Sequence, residues 1–163
     1  MERILVSSCL LGSPVRYDGA AKPVHATIVD RWRAEGRLVP FCPEVAGGLT
    51  VPREPAELTG PAAAVLDGTA RILTGSGADV TGEFVHGAHR ALEAARRSGA
   101  RMAILKEDSP SCATTRVYDG SFTGTRVPGT GVTTALLERH GIRVFPETAL
   151  DAAAAHLMTL ESA

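Results

Sequence analysis

Four short, largely apolar runs constrain this chain more than any other feature. They are Ile4-Leu5-Val6, Leu38-Val39-Pro40-Phe41, Met102-Ala103-Ile104-Leu105 and Ile142-Arg143-Val144-Phe145. Each is of strand length, and between them apolar residues recur mainly at helical spacing. A strand that is apolar on both faces must be covered on both, and strands that alternate with helices do this as a parallel sheet. The expected fold is therefore α/β: a three-layer Rossmann-like parallel sheet with helices on both faces. A chain of 163 residues fits one domain, residues 1–163.

Val24, Ile28, Val29 and Trp32 define an amphipathic helix over 24–35, with Pro23 before it and Gly36 past its end. Val80, Phe84, Val85, Ala88, Ala91, Leu92 and Ala95 define a longer one over 79–98, closed by Gly99. Gly129-Thr130-Gly131 opens a third, which runs through Leu136 and Leu137 to Gly141, and Thr148 caps an alanine-rich helix ending near residue 160. Residues 43–60, rich in Pro, Gly and Glu, read as a functional loop. Ala63-Ala64-Val65-Leu66 and Ala70-Arg71-Ile72-Leu73 flank Asp67-Gly68, a favoured two-residue turn, and predict a β-hairpin insertion.

The net charge of −1 and an isoelectric point near 6.5 argue against a nucleic-acid polymer as partner, since such modules carry a basic face. No apolar run approaches the roughly 18 residues of a membrane span. Met1-Glu2-Arg3 leads straight into a strand rather than a signal peptide, so a cytoplasmic protein acting on a small molecule is expected.

The chain has three cysteines, Cys9, Cys42 and Cys112, an odd number too widely spaced for a disulfide framework. A single such residue is most simply a small core hydrophobe. Yet Cys9 and Cys42 each follow a strand closely, and Cys112 follows a strand after one polar loop. The carboxyl ends of neighbouring parallel strands meet at one crevice, where such folds bind ligands. Three thiols should therefore converge, as a metal centre with one coordination position left open.

Glu44, two residues past Cys42, places a carboxylate beside a sulfur and is a candidate proton-transfer group; otherwise it is a solvated loop residue. Ser109 and Ser111 put hydroxyls around Cys112, either for chemistry or to satisfy turn amides. The only two lysines, Lys22 and Lys106, lie in or beside these loops and can offset thiolate charge. Cys9 and Arg16 are separated by six residues, one too many for a phosphatase loop. The metal is zinc or an iron–sulfur cluster on this reading, and His86 and His89 are the available histidines for a structural Cys3His zinc site. A nucleotide-binding module at Gly129-Thr130-Gly131 is a weaker alternative, because the preceding strand and a downstream acidic residue are missing.

Taken in order, the motifs Ser-Ser-Cys-Leu-Leu-Gly with Arg-Tyr-Asp-Gly, Cys-Pro-Glu-Val with Gly-Gly and Pro-Arg-Glu-Pro-Ala-Glu, Leu-Lys-Glu-Asp-Ser-Pro-Ser-Cys, and Gly-Thr-Gly-Val-Thr resemble the single-domain 2-thiouracil desulfidases. The resemblance runs from Ile4 to about Phe145. It implies a 4Fe–4S cluster held by Cys9, Cys42 and Cys112, with one iron open, and catalytic roles for Glu44 and Ser109. The implied reaction is a non-redox replacement of C=S by C=O in a small thiolated compound such as 2-thiouracil, with release of hydrogen sulfide.

Overall fold

The computed structural model describes residues 1–163. Its central sheet has four parallel strands, β1 (Arg3–Ser7), β2 (Leu38–Phe41), β5 (Ala100–Leu105) and β8 (Arg143–Pro146), in the order β2-β1-β5-β8. Alternation along each strand sorts the side chains into two layers. Ile4, Val6, Met102, Ile104 and Phe145 point to one face, where they pack with Val29 and Trp32 of α1 (Thr27–Ala34) and Ala153 and Leu157 of α6 (Leu150–Glu161). Leu5, Ala103, Leu105 and Val144 point to the other. There they meet Phe84, Ala88 and Leu92 of α4 (Thr81–Ser98) and Leu136 and Leu137 of α5 (Val132–Arg139). Each fully buried Leu, Ile or Phe in these layers contributes about 1.5–3 kcal/mol of transfer free energy. The three-layer arrangement is the one expected from the alternating pattern. No helix is long and apolar enough to cross a membrane.

Three local expectations are corrected. Ala62–Leu66 is a helix, α3, rather than a strand, because its three successive alanines favour helix and Ala62 and Val65 bury one face. Asp67-Gly68 is its exit and not a hairpin turn: a type I′ turn needs positive φ at both residues, and Asp67 has φ −86°. The antiparallel pair instead joins β3 (Ala56–Leu58) to β4 (Ile72–Thr74), with Ala56 opposite Thr74. The segment 43–60 thus contains β3 and a short helix, α2 (Pro43–Ala46), as well as loop. Finally, the last helix begins at Leu150 after Ala149, and Thr148 does not cap it. A second two-stranded unit, β6 (Arg116–Tyr118) with β7 (Arg126–Pro128), follows Cys112 and has no counterpart in the sequence reading.

Candidate active site

The four central strands finish level. Ser7 pairs with Phe41, Val6 with Ile104 and Leu105 with Pro146, so the loops after β1, β2, β5 and β8 emerge along one edge. The chain steps outward from β1 to β2 and later returns past β1 to β5, which makes the β1/β5 gap the point where the winding reverses. A cavity of about 410 Å³ opens there, within the usual range of small-molecule sites. Cys9, Cys42, Cys112, Glu44 and Ser109 all border it.

The thiols are free, with Cys9 and Cys112 buried and Cys42 half-buried. Cys9 sits in a single helical turn, Ser8–Leu11, whose position is fixed when its carbonyl accepts N–H bonds from Gly12 (3.3 Å) and Lys22 (2.9 Å). Burial pushes the Cys9 thiol up to about 11, and Cys42 beside it adds to the effect. Burial raises Cys42 and, most strongly, Cys112, where Glu44 and Cys42 add repulsion. Such thiols ionise when a cationic centre replaces their protons, which suits a soft-metal site. No three Cys, His, Asp or Glu groups lie close enough together to chelate a single ion.

Glu44 reaches the cavity because α2 begins immediately after Cys42 and is pressed onto α4. A Cβ on Gly47 would stand 2.0 Å from the Glu83 carbonyl oxygen, and one on Gly87 would stand 2.0 Å from that of Pro43. Only glycine at both places lets the backbones cross so closely. The Glu44 side chain is 18% exposed and lies 3.5 Å from Nη2 of Arg53. Arg53 also donates to the carbonyls of Val15 (2.9 Å) and Thr50 (3.0 Å), tying the first cysteine loop to the second. Burial raises the Glu44 carboxyl above its ordinary value, against the opposing pull of Arg53, Arg16 and the Ser109 hydroxyl.

The Cys112 loop is bolted to the start of α5. Val132 N–H donates to the Pro110 carbonyl (3.0 Å), Thr133 N–H to that of Ser111 (2.8 Å), and the Thr134 hydroxyl to that of Cys112 (2.9 Å). The first-turn amides of α5 are therefore spent on the loop, and the nucleotide-binding alternative at Gly129-Thr130-Gly131 has no free donors for a phosphate. Ser111 is fully buried, its hydroxyl 2.7 Å from that of Thr133. Ser109 differs. Its oxygen accepts N–H bonds from Ser111 (3.0 Å) and Cys112 (3.1 Å), which fills both acceptor positions and leaves the O–H to donate.

A model of the 2-thiouracil desulfurase family matches residues 4–149. This chain belongs to that family. It is 46% identical over 151 residues to the uncharacterized protein YbbK of Bacillus subtilis (strain 168), covering 91% of this chain and 97% of that one. Its structure is similar to that of the 4Fe–4S-dependent thiouracil desulfidase TudS (DUF523Vcz). The TM-score is 0.90, with 50% sequence identity and coverage of 98% of this chain and 99% of the other. Membership places the chain among enzymes, and the parallel sheet with its helical layers is the family architecture.

Several residues that line this family member's cavity escaped the sequence reading. Glu107, Tyr118 and Arg126 border it, as does Arg16, which the sequence brought in only through a phosphatase spacing it does not meet, and Arg53 and Glu147 hold its walls. Glu107 was readable as part of Leu-Lys-Glu-Asp-Ser-Pro-Ser-Cys, but its partners Thr114 to Arg116 come from a turn that only the fold defines. Lys22 and Lys106 both face the cavity, with Lys106 Nζ 3.0 Å from the Glu107 carbonyl and 3.8 Å from Glu147. His86 and His89 lie exposed on α4 and no histidine borders the cavity, so a Cys3His zinc site finds no fourth ligand there.

Proposed function

We propose that this chain is a thiouracil desulfidase that holds a 4Fe–4S cluster through Cys9, Cys42 and Cys112 and hydrolyses C=S to C=O. The observation that carries the reading is the shared cavity: three buried or half-buried thiols, one shielded carboxyl and one hydroxyl with only a proton to give. The donor set fits the group, since the thiols are the soft ligands of the cavity and Lys106 and Arg16 lie where they lower the proton affinity of Cys9. When bound by three thiolates, a cluster keeps one iron open and supplies Lewis-acid polarisation of a thiocarbonyl sulfur.

The remaining work falls to the chain. Glu44 takes a proton from the water that adds to the polarised carbon, and returns it to the sulfur as the C–S bond breaks. One water is consumed, the carbonyl keeps its oxygen, and hydrogen sulfide carries off the sulfur and both protons. Burial tunes Glu44 for this exchange by bringing its proton affinity toward the working range. Ser109, with both lone pairs engaged by amides, acts as a donor to Glu44 or to the oxygen that becomes negative as water adds.

The test is anaerobic reconstitution followed by 2-thiouracil turnover, with uracil and sulfide measured together. Wild-type chain should bind four irons and release one sulfide per uracil, as expected for a single cubane. Each of Cys9→Ser, Cys42→Ser and Cys112→Ser should lose the brown colour and the activity together, because a poorly ionised oxygen replaces a soft thiolate. A cysteine variant that keeps both would overturn the assignment.

A further inference from the structure

Glu107 is the residue most heavily hydrogen-bonded by its side chain in the molecule, yet the chemistry above does not use it. One carboxylate oxygen accepts the N–H groups of Thr114 (2.9 Å), Thr115 (3.1 Å) and Arg116 (3.3 Å). The other accepts the hydroxyls of Thr114 (2.9 Å) and Thr115 (2.8 Å). Its own backbone is held just as firmly. The N–H donates to the Glu147 carboxylate at the end of β8 (3.1 Å), and the carbonyl accepts from Lys106 Nζ (3.0 Å). Residues 107–116 therefore form a closed ring hung from the ends of β5 and β8, with Glu107 as its clasp.

Ser109 and Cys112 lie inside that ring. Ala113 N–H bonds the Ser109 carbonyl (3.0 Å), and the Ser109 hydroxyl oxygen takes the amides of Ser111 and Cys112. The turn that carries both groups has no strand or helix of its own to hold it. Its middle is tied to α5 through Pro110, Ser111 and Cys112, while its start is tied by the Glu107 clasp and by one longer ion pair, Asp108 with Arg126 (3.5 Å).

We propose that Glu107 is a positioning residue of the site: by clasping Thr114, Thr115 and Arg116 it sets where the Cys112 sulfur stands and which way the Ser109 O–H points. This rests on the desulfidase reading for the use of those two groups, but not for the clasp itself. Burial alone would favour the protonated acid, yet the Thr115 and Thr114 donors outweigh it and hold the carboxyl down at about 2. Glu107 is thus a constant acceptor at any working pH.

The test compares three substitutions in the anaerobically reconstituted full chain. Glu107→Ala deletes the clasp. Glu107→Asp keeps the charge but falls one methylene short. Glu107→Gln loses the charge but keeps the reach, its carbonyl serving the amides and its NH2 the two hydroxyl oxygens. The expected pattern is that Ala and Asp lose iron to a chelator about 10–100-fold faster, the usual cost of removing a group that orients a metal ligand. Amides 111–116 should exchange at least about tenfold faster in both. The kcat for 2-thiouracil should fall by about 10–100-fold with KM moving less than about threefold. Gln should restore most of all three.

Thr81→Val is the comparator. It removes a buried hydroxyl that bonds Ile72 N–H (2.9 Å) and Asp79 (2.6 Å) away from the cavity, and it lowers stability without touching the ring. The proposal is overturned if Thr81→Val, matched in melting temperature, reproduces the iron loss and exchange. It is equally overturned if Asp matches wild type while Gln behaves like Ala, which would make charge and not reach the operative property. If Ala fails to fold, the Asp and Gln pair carries the same comparison. A wild-type chain that binds iron but never turns over 2-thiouracil sinks the desulfidase reading, and iron retention and amide exchange then judge Glu107 alone.

Discussion

Gly131→Ala is a demanding single substitution at the junction of the Cys112 loop and α5. Gly131 has φ −77° and ψ 166°, an extended conformation open to any residue, so backbone freedom is not why glycine is there. Space is. A Cβ at this position would stand 2.3 Å from both the carbonyl carbon and the oxygen of Ser111, and 2.6 Å from the Cys112 amide nitrogen. Ordinary carbon contacts are about 3.5–4.0 Å, so the loop and the helix must part by about 1 Å. All the close atoms are backbone, and no flexible side chain can swing away. The three bonds that bolt the loop to α5, including Thr133 N–H to Ser111 (2.8 Å) and Thr134 Oγ1 to Cys112 (2.9 Å), stretch with that movement. Overpacking of this kind costs about 1–3 kcal/mol. For a chain of this size each kcal/mol moves Tm by about 2–4 °C, so the metal-free protein should melt about 2–12 °C lower. Because the displaced atom group includes Cys112, reconstituted protein should also bind iron less tightly. Gly82→Ala supplies the contrast, since a Cβ there meets nothing within 4 Å and the first turn of α4 should gain about 0.4–1 kcal/mol. Thermal unfolding followed by circular dichroism, with iron content per chain, decides. A Gly131→Ala protein with wild-type Tm and full iron would refute the packing account of this glycine.

Three further outcomes are expected. Glu44→Gln keeps the shape but cannot move a proton, so desulfurisation should fall by roughly 10²-fold or more with the cluster absorption intact; unchanged turnover would reduce Glu44 to a partner of Arg53. Ser109→Ala strips the acceptor from two amides, each orphaned group costing about 1–3 kcal/mol, so it should lower Tm and loosen the cluster as well as slow catalysis. Ser111→Ala breaks the buried bond to Thr133 (2.7 Å) and should lower Tm while leaving kcat nearly unchanged; the reverse pattern in a side-by-side assay would exchange the two roles. The Glu107 carboxyl, held at about 2 against an ordinary 4.5, favours the folded state fully above pH 4.5, and that contribution is lost as pH falls toward 2. The Tm of the metal-free wild type should therefore drop more steeply over that window than the Tm of Glu107→Gln, and parallel curves would contradict it.

Much of this molecule was legible from periodicity. The four strands and two helices announce themselves because a buried strand must be apolar throughout and a covering helix must be apolar on one side, although the helices expected at 24–35 and 79–98 run over 27–34 and 81–98. The failures were local. Asp67-Gly68 is a strong hairpin signal in isolation, but the alanines before it and the burial of Ala62 and Val65 made the same dipeptide a helix exit. The β6–β7 pair stayed hidden because its strands are three residues each, and β7 is exposed along its whole length. So short a strand carries no alternation to read.

By itself, the order of residues determined that three thiols, Glu44 and Ser109 stand at strand ends or in the loops after them, because a parallel sheet delivers its carboxyl ends to one edge. What only the tertiary structure decided is what each of those groups has left to offer. Ser109 became a pure donor because Ser111 and Cys112 fill its lone pairs, and Ser111 became a buried bolt because Thr133 faces it. Gly131 became a contact surface and not a phosphate cradle because the Cys112 loop had already consumed the amides behind it. Spacing along a chain records which groups are present. The state of a lone pair, a proton or a gap of one methyl depends on neighbours brought from elsewhere in the sequence, and only packing supplies them.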